Sequence, residues 1–163
     1  MLIGVVSDTH NNFKNIDLII NLFNRERISL IIHTGDIASA KALDKFSRLN
    51  GDLLGVFGNN DRNELNIQEI AKKHAFKFYE PPNLFTLCDR NIAVFHEPDN
   101  IDDFLIKNPE THLVLHGHTH RYREETINNV LFFNPGESAG MLKGKNAIGI
   151  VDLINLKVKR IFF

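Results

Sequence analysis

The chain has 163 residues, of which 43% are hydrophobic and 24% are charged, and its net charge is -1. This length fits a single domain covering residues 1–163. The composition excludes a disordered, collagen-like or coiled-coil chain. The balanced charge gives no bulk electrostatic reason to bind nucleic acid or an anionic membrane.

Cysteine usage and hydropathy indicate the compartment. The single cysteine, Cys88, excludes an internal disulfide framework and fits a reducing cytosol. The start of the chain has no features of a signal peptide, and no apolar run approaches the ~20 residues that span a bilayer. We therefore expect a cytoplasmic domain without a membrane partner.

The first half alternates between strand and helix patterns. Short β-branched runs predict strands at 2–7, 29–34 and 52–57, and apolar residues at helical spacing predict helices at 13–27, 38–49 and 67–74. Repeated strand–helix order is typical of an α/β protein with a parallel sheet.

The second half has a more antiparallel character. Hairpins are predicted from 83–88 and 91–96 around Asp89-Arg90, from 124–127 and 130–133 around Asn128-Asn129, and from 147–153 and 157–163 around Ile154-Asn155. A short helix at 102–107 and a strand at 111–116 lie between the first two hairpins.

Side chains that can bind a metal accumulate where the predicted strands end. They are Asp8, His10, Asp36, Asn59, His96, His118 and His120. Loops at the carboxyl ends of parallel strands converge, so these residues can meet in space. Carboxylate, amide oxygen and imidazole suit a divalent cation such as Mn²⁺, Zn²⁺, Fe²⁺ or Ni²⁺. The set is too large for one tetrahedral site but sufficient for two metal ions that share a bridging carboxylate.

Glycines accompany several of these residues. Gly35, Gly58 and Gly117 each come directly before a candidate ligand. We expect them to adopt backbone angles that other residues avoid, which would allow a sharp turn directly after a strand. Each motif alone is weak evidence, but their ordered appearance at successive strand ends argues against coincidence.

The ordered motifs resemble those of the calcineurin-like metallophosphoesterases, and especially their small single-domain bacterial and archaeal phosphodiesterases. The matching elements are Asp8-Xaa-His10, Gly35-Asp36, Gly58-Asn59-Xaa-Asp61, His96 and Gly117-His118-Xaa-His120. Asn134-Pro135-Gly136-Glu137 is similar to a further element near the end of that branch. The resemblance extends from Leu2 to about Phe163.

The resemblance implies a four-layer α/β/β/α sandwich of two mixed β-sheets flanked by helices. It implies one metal ion held by Asp8, His10, Asp36 and His120, and a second held by Asp36, Asn59, His96 and His118. Asp36 would bridge the two ions, and Asp36, Asn59 and His96 would be catalytic.

The implied activity is hydrolysis of a phosphate ester, with a small phosphodiester as the expected substrate. The nucleophile would be a hydroxide that bridges the two metal ions and attacks phosphorus in line. Mn²⁺ is the first choice of metal, with Ni²⁺, Zn²⁺, Fe²⁺ and Mg²⁺ as alternatives.

The chain departs from the family pattern at two positions. Larger relatives carry a proposed histidine acid where this chain has Asn60, and a neutral amide is no useful proton donor. We therefore expect a preference for good leaving groups. His96 is followed by Glu97, where the family usually has glycine.

Several neighbouring residues have supporting assignments. Asp61 is expected to orient a ligand such as a histidine. Asn11, Asn12 and Arg62 are candidates to contact substrate phosphate, with solvated loop residues as the alternative. Structural roles are expected for Cys88, His74 and His112. His33 and His116 are expected either to be core residues or to support the metal ligands without binding the metal.

Two other classes of function are compatible with the same fold. One is a non-catalytic protein-binding scaffold like the retromer subunit of eukaryotes, and the other is a nuclease. A scaffold tends to lose metal ligands, whereas all the ligand positions are filled here. Nucleases of the family usually add further domains and basic surfaces. Exposed hairpins are compatible with a homodimer, although the sequence names no interface.

Overall fold

The computed structural model describes all residues from Met1 to Phe163. The strands are β1 (Leu2–Val6), β2 (Leu30–His33), β3 (Asp52–Val56), β4 (Lys77–Tyr79), β5 (Asn83–Leu87), β6 (Arg90–Val94), β7 (Thr111–Leu115), β8 (Arg123–Ile127), β9 (Val130–Asn134), β10 (Ala147–Asp152) and β11 (Lys157–Phe162). The α-helices are α1 (Phe13–Arg25), α2 (Ala40–Lys45), α3 (Ile67–Lys73) and α4 (Ile101–Lys107), and a short 3₁₀ turn (Phe46–Arg48) follows α2. None of the helices combines the length and the hydropathy of a membrane-spanning segment.

Both sheets are mixed. The six-stranded sheet has the order β11-β10-β1-β2-β3-β4, in which β1 to β4 are parallel and the β10–β11 hairpin is antiparallel. The five-stranded sheet has the order β5-β6-β7-β9-β8, in which β6, β7 and β9 are parallel. The six-stranded sheet therefore contains four consecutive parallel strands, and the five-stranded sheet has three at its centre.

The layers follow from the alternation of side chains along each strand. In β1, Ile3 and Val5 point into the space between the two sheets, while Val6 packs under α1, α2 and α3. In β7, Leu113 and Leu115 face the other sheet, while Val114 packs under α4. The result is the expected four-layer α/β/β/α sandwich.

The second half is less antiparallel than expected. All three predicted hairpins form, but β6 pairs in parallel with β7, and β7 pairs in parallel with β9. The terminal hairpin does not join these strands, because β10 pairs with β1. The strand β4 was not predicted, since its three residues are too few to show an alternation of side chains.

The expectation that Cys88 packs within a hairpin strand is wrong. The two-residue turn between β5 and β6 is Cys88-Asp89, and both residues have positive φ, which leaves Cys88 exposed. A turn of this kind matches the right-handed twist of the paired strands. The second hairpin turns at Asn128-Asn129 as predicted, also with positive φ at both residues.

Candidate metal centre

Six loops meet at one edge of the sandwich. The central strands β1, β2 and β3 of one sheet and β6, β7 and β9 of the other each send a polar segment from their carboxyl ends. This arrangement brings together all the candidate ligands, which are Asp8, His10, Asp36, Asn59, His96, His118 and His120. Residues far apart in the chain therefore share one site.

The first cluster contains Asp8, His10 and His120. The Nε2 atoms of the two histidines are 3.3 Å apart, and His120 Nε2 lies 3.5 Å from Asp8 Oδ1. All three potential ligand atoms lie within 4.8 Å of one another. Asp8 is completely buried, and the Ser7 hydroxyl donates a hydrogen bond to its carboxylate.

Asp36 lies between this cluster and His96. Its Oδ2 is 3.5 Å from His10 Nε2, and its Oδ1 is 3.4 Å from His96 Nε2. Asp8, Asp36 and His96 form a second cluster whose potential ligand atoms lie within 4.8 Å of one another. Each oxygen of Asp36 therefore faces a different histidine, an arrangement that suits a carboxylate shared by two metal ions.

Asn59 extends the centre toward solvent. Its Oδ1 lies 3.0 Å from His96 Nε2 and 3.1 Å from His118 Nδ1. Asn59 and His118 are exposed, whereas His96 is buried and its Nδ1 donates to the Thr34 carbonyl at 2.8 Å. Because Nδ1 carries the proton of that hydrogen bond, Nε2 of His96 is the atom whose lone pair can bind a metal.

The electrostatics of the centre favour the ionised form of Asp36. Burial alone would raise the pKa of Asp36, but hydrogen bonds from His96 and Asn60 hold it well below its usual range. Burial by itself lowers the pKa of His96, yet the Asp36 carboxylate raises it overall. The hydrogen bond to Asp8 raises the pKa of His120. Carboxylate oxygens and imidazole nitrogens in two adjacent clusters are a donor set that fits divalent cations.

Asp61 supports the Asp36 loop through the backbone, not through a histidine as expected. Its carboxylate accepts hydrogen bonds from the N–H groups of Asp36, Ala38 and Gly58, each at 2.8 Å. Burial raises the pKa of Asp61 against the opposing effect of these donors. Its role is to fix the loop that carries Asp36.

The glycines at the strand ends have two different roles. Gly35 adopts a φ of +104°, as expected for a sharp turn, and a Cβ there would lie 2.5 Å from His96 Nδ1. Gly58 and Gly117 do not adopt a positive φ, so that part of the prediction is wrong. At Gly58 the requirement is space, because an added Cβ would overlap the carboxylate of Asp36.

The side chains of Asn11 and Asn12 are engaged in holding loops. Asn11 Nδ2 donates to the Ala38 carbonyl at 3.1 Å. Asn12 caps α1 by accepting from the Asn15 N–H at 3.1 Å, and its Nδ2 donates to the Ala139 carbonyl at 2.7 Å. Both side chains therefore hold loops in place, a role that neither the predicted phosphate contact nor the solvated alternative describes.

Arg62 occupies a different position from the two asparagines. Its guanidinium lies 3.8 Å from the Glu97 carboxylate, and both side chains are partly exposed. Arg62 and Glu97 also line a cleft of about 410 Å³ beside the centre. Arg62 therefore remains available to an anionic ligand.

Sequence reasoning missed how Asn60 and His33 contribute to the centre. Asn60 donates two hydrogen bonds to Asp36, and His33 contacts two of the loops that carry ligands. Burial lowers the pKa of His33 to about 3, so its ring is neutral. A histidine at the end of an apolar strand was the available signal, because a buried imidazole needs hydrogen-bond partners.

The other histidines have structural positions, as expected. His116 is buried beside Asn134, and burial lowers its pKa. His74 ends α3 and contacts Asp44 at 2.8 Å. His112 Nδ1 accepts the Asn91 N–H at 3.0 Å.

Comparisons with known proteins agree with this geometry. The family model of the calcineurin-like phosphoesterase superfamily domain matches residues 1–155. A phosphodiesterase of Methanocaldococcus jannaschii is 32% identical to the chain over 154 residues, which cover 93% of each protein.

Solved structures share the fold over the whole chain. That of an archaeal phosphodiesterase is 31% identical, with a TM-score of 0.90 and coverage of 100% of both chains. Zinc-bound Vps29 of Entamoeba histolytica is 15% identical, with a TM-score of 0.69 and coverage of 100% of this chain and 98% of the other, and this likeness shows the fold alone. The chain belongs to the calcineurin-like phosphoesterase superfamily and is a metal-dependent hydrolase that acts on phosphoric ester bonds.

Proposed function

We propose that the chain hydrolyses a small phosphodiester at a centre that holds two divalent metal ions. The observation that carries this proposal is the position of Asp36, whose Oδ2 faces His10 and whose Oδ1 faces His96. The likeness to the archaeal phosphodiesterases supports a diester as the substrate.

The proposed ligands divide into two sets that share Asp36. Asp8, His10, Asp36 and His120 would hold one ion, and Asp36, Asn59, His96 and His118 would hold the other. Two bound cations would lower the pKa of a water toward ~7, which makes it a nucleophile at neutral pH, and would neutralise charge on the phosphoryl oxygens.

The residues of the chain supply position and charge. Burial and hydrogen bonding keep Asp8 and Asp36 in fixed orientations, and the pKa of Asp36 is low enough that it stays ionised. Asp36, Asn59 and His96 are the proposed catalytic set, because they lie where the buried and exposed parts of the centre meet. Exposure of Asn59 and His118 leaves this side open to a substrate from solvent.

Arg62 is the proposed contact for the substrate phosphate outside the ligand set. Its partner Glu97 is 3.8 Å away and partly exposed, so this ion pair is weak and can exchange for a phosphate oxygen. Asn11 and Asn12 would act by shaping the loop that carries His10.

Mn²⁺ is the proposed metal. The ligand set mixes carboxylate and amide oxygens with imidazole nitrogens and contains no thiolate, which suits Mn²⁺ and also accommodates Ni²⁺, Zn²⁺ or Fe²⁺. We further propose a cytoplasmic location, in line with the single unpaired cysteine.

A protein-binding scaffold is the less favoured function. The fold is shared with Vps29, so the fold alone does not distinguish an enzyme from a scaffold. The complete ligand set favours the enzyme, because two buried carboxylates beside four histidines are costly to keep without a metal-dependent function.

The test is reconstitution of activity. We would strip the protein with a chelator, add Mn²⁺, Ni²⁺, Mg²⁺ or Zn²⁺ separately, and follow bis-p-nitrophenyl phosphate and p-nitrophenyl phosphate. We expect added metal to restore turnover of the diester. Asp36→Ala should lower this turnover by more than the 10–100-fold that is typical for removing a hydrogen-bond partner of a metal ligand. Asp44→Ala, which changes a partly exposed aspartate that contacts Lys73 and His74 and none of the candidate ligands, is the matched control. Metal binding without turnover of either ester would favour the scaffold.

A further inference from the structure

His33 ends β2 and lies three residues before Asp36. Its side chain is completely buried, and its ring packs edge-on against Phe46 with 5.7 Å between ring centroids. The proposed ligand set does not include it. A fully buried imidazole beside such a centre destabilises the folded state unless both of its ring nitrogens have hydrogen-bond partners.

Both ring nitrogens of His33 do have partners, and they belong to two different loops. The Gly35 N–H donates to Nδ1 at 3.1 Å, and Nε2 lies 3.2 Å from the Thr9 hydroxyl. Because Nδ1 accepts a hydrogen bond, the proton of the neutral ring is on Nε2, which therefore donates to Thr9 Oγ1. The tautomer follows from the backbone donor alone.

These partners adjoin the proposed metal ligands. Thr9 lies between Asp8 and His10, and Gly35 directly precedes Asp36. The two loops are also joined by backbone hydrogen bonds from the Asp8 N–H to the Gly35 carbonyl and from the His10 N–H to the Asp36 carbonyl, each 3.1 Å.

Both loops use left-handed backbone conformations. Asp8, His10 and Asp36 have φ values of 52°, 39° and 60°, a region that is uncommon for residues other than glycine, although aspartate and histidine enter it more readily than most. A rigid side chain with a donor and an acceptor on opposite edges of its ring can hold the two loops at once.

We propose that His33 is a positioning residue that clamps the loop carrying Asp8 and His10 to the loop carrying Asp36, so that their ligand atoms face one another. This inference rests on the proposed function of the centre. His33 acts through the backbone of Gly35 and the side chain of Thr9, and it contacts neither the metal ions nor the substrate.

Four substitutions separate the two arms of the clamp. His33→Asn keeps an acceptor near the Gly35 N–H, His33→Gln keeps an amide near Thr9, and His33→Phe keeps only the ring shape. Thr9→Val removes the Thr9 arm with the imidazole intact. His112→Asn is the matched control, because His112 also accepts a backbone N–H at Nδ1, at 3.0 Å, but lies away from the centre.

The primary readout is Mn²⁺ affinity, measured by calorimetry on the metal-free full chain at a temperature where circular dichroism shows each variant folded. We expect His33→Phe to weaken Mn²⁺ binding by about 10–100-fold and the single-arm variants to lose less. In the double variant, Thr9→Val should cause no further loss of Mn²⁺ affinity beyond that of His33→Phe, because the arm that it removes is already absent. The rate of bis-p-nitrophenyl phosphate hydrolysis, measured in parallel, should fall most in His33→Phe and less in the single-arm variants.

The outcomes separate the inference from the proposed function. Wild-type affinity for Mn²⁺ in folded His33→Phe would overturn the clamp and leave the phosphodiesterase proposal intact. If His33→Phe does not fold, unchanged affinity in His33→Asn, His33→Gln and Thr9→Val would overturn it equally. A wild-type chain that binds no Mn²⁺ and hydrolyses no diester would overturn the proposed function and the clamp together.

Discussion

Asn60 donates a hydrogen bond to each carboxylate oxygen of Asp36. Its backbone N–H reaches Oδ1 at 3.0 Å, and its side-chain amide reaches Oδ2 at 2.7 Å. Both bonds favour the ionised carboxylate and contribute to the low pKa of Asp36. Asn60, which stands where larger relatives carry a proposed histidine acid, therefore supports the candidate bridging carboxylate. Its neutral amide cannot act as a proton donor to the leaving group at pH 7.

The absence of an acid at position 60 predicts a steep dependence on the leaving group. We expect the wild-type enzyme to hydrolyse aryl diesters well and alkyl diesters poorly. Asn60→His should flatten this dependence, because a general acid contributes about 10²–10⁴-fold where the leaving group needs a proton. The measurement is a plot of log kcat/KM against leaving-group pKa for a series of diesters. Asn60→Gln keeps an amide without an acid and should retain the steep slope. An identical slope in wild type and Asn60→His would contradict the interpretation.

Metal binding should weaken in acid because two candidate ligands hold protons tightly. The pKa of His96 is raised by Asp36 in spite of burial, and the pKa of His120 is raised by Asp8. A protonated imidazole cannot bind a metal ion, so affinity falls as the pH falls through these raised pKa values. We expect Mn²⁺ affinity and diester turnover to decline together between about pH 8 and pH 5. A flat profile over this interval with metal retained would refute the idea.

His33 should make the metal-free protein sensitive to acid. Its pKa in the folded state is about 3, whereas an exposed histidine titrates near 6.5, because burial disfavours the charged ring. As the pH falls, His33 is therefore protonated in the unfolded chain before it is protonated in the folded one. The free energy of unfolding decreases as the pH falls from 6.5 toward 3, by up to about 1.4 kcal/mol per pH unit.

The measurement is the free energy of unfolding in urea from about pH 7 to pH 5, a range in which Asp36 does not titrate. His33→Gln cannot ionise, so it should remove this part of the pH dependence whatever its effect on stability at neutral pH. His112→Gln is the control, because that histidine is partly exposed, lies away from the centre and pairs with a backbone N–H and not with a carboxylate. Equal slopes in wild type and His33→Gln would show that His33 is not responsible.

Removal of metal should lower thermal stability. A cation that binds only the folded chain stabilises it by about 2.7 kcal/mol when its free concentration is 100 times Kd. For a domain of this size that free energy corresponds to a decrease in Tm of about 5–10 °C on chelation. Scanning calorimetry with and without Mn²⁺ measures this difference. Asp36→Ala should show a much smaller shift, and a wild-type Tm that does not respond to Mn²⁺ would argue against a site in this cluster.

Much of the fold could be predicted because its signals are local. The apolar spacing of α1, the continuous apolar run of β1 and the Asn128-Asn129 turn each depend on a few consecutive residues. A three-residue strand such as β4 offers no such pattern and was missed. The pairing of β10 with β1 was also missed, because it depends on which sheet edge remains free once the other strands have packed.

The sequence by itself determined which side chains can bind a metal, since Asp8, Asp36 and His96 follow strands in an order that the family motifs make recognisable. Only the tertiary structure decided what each polar group contacts. Local pattern did not reveal that Asn60 supports Asp36, that Asn12 holds a distant loop, or that His33 joins two loops. The physical reason is that hydrogen-bond partners are chosen by proximity and burial, which arise only when segments distant in the chain pack against one another.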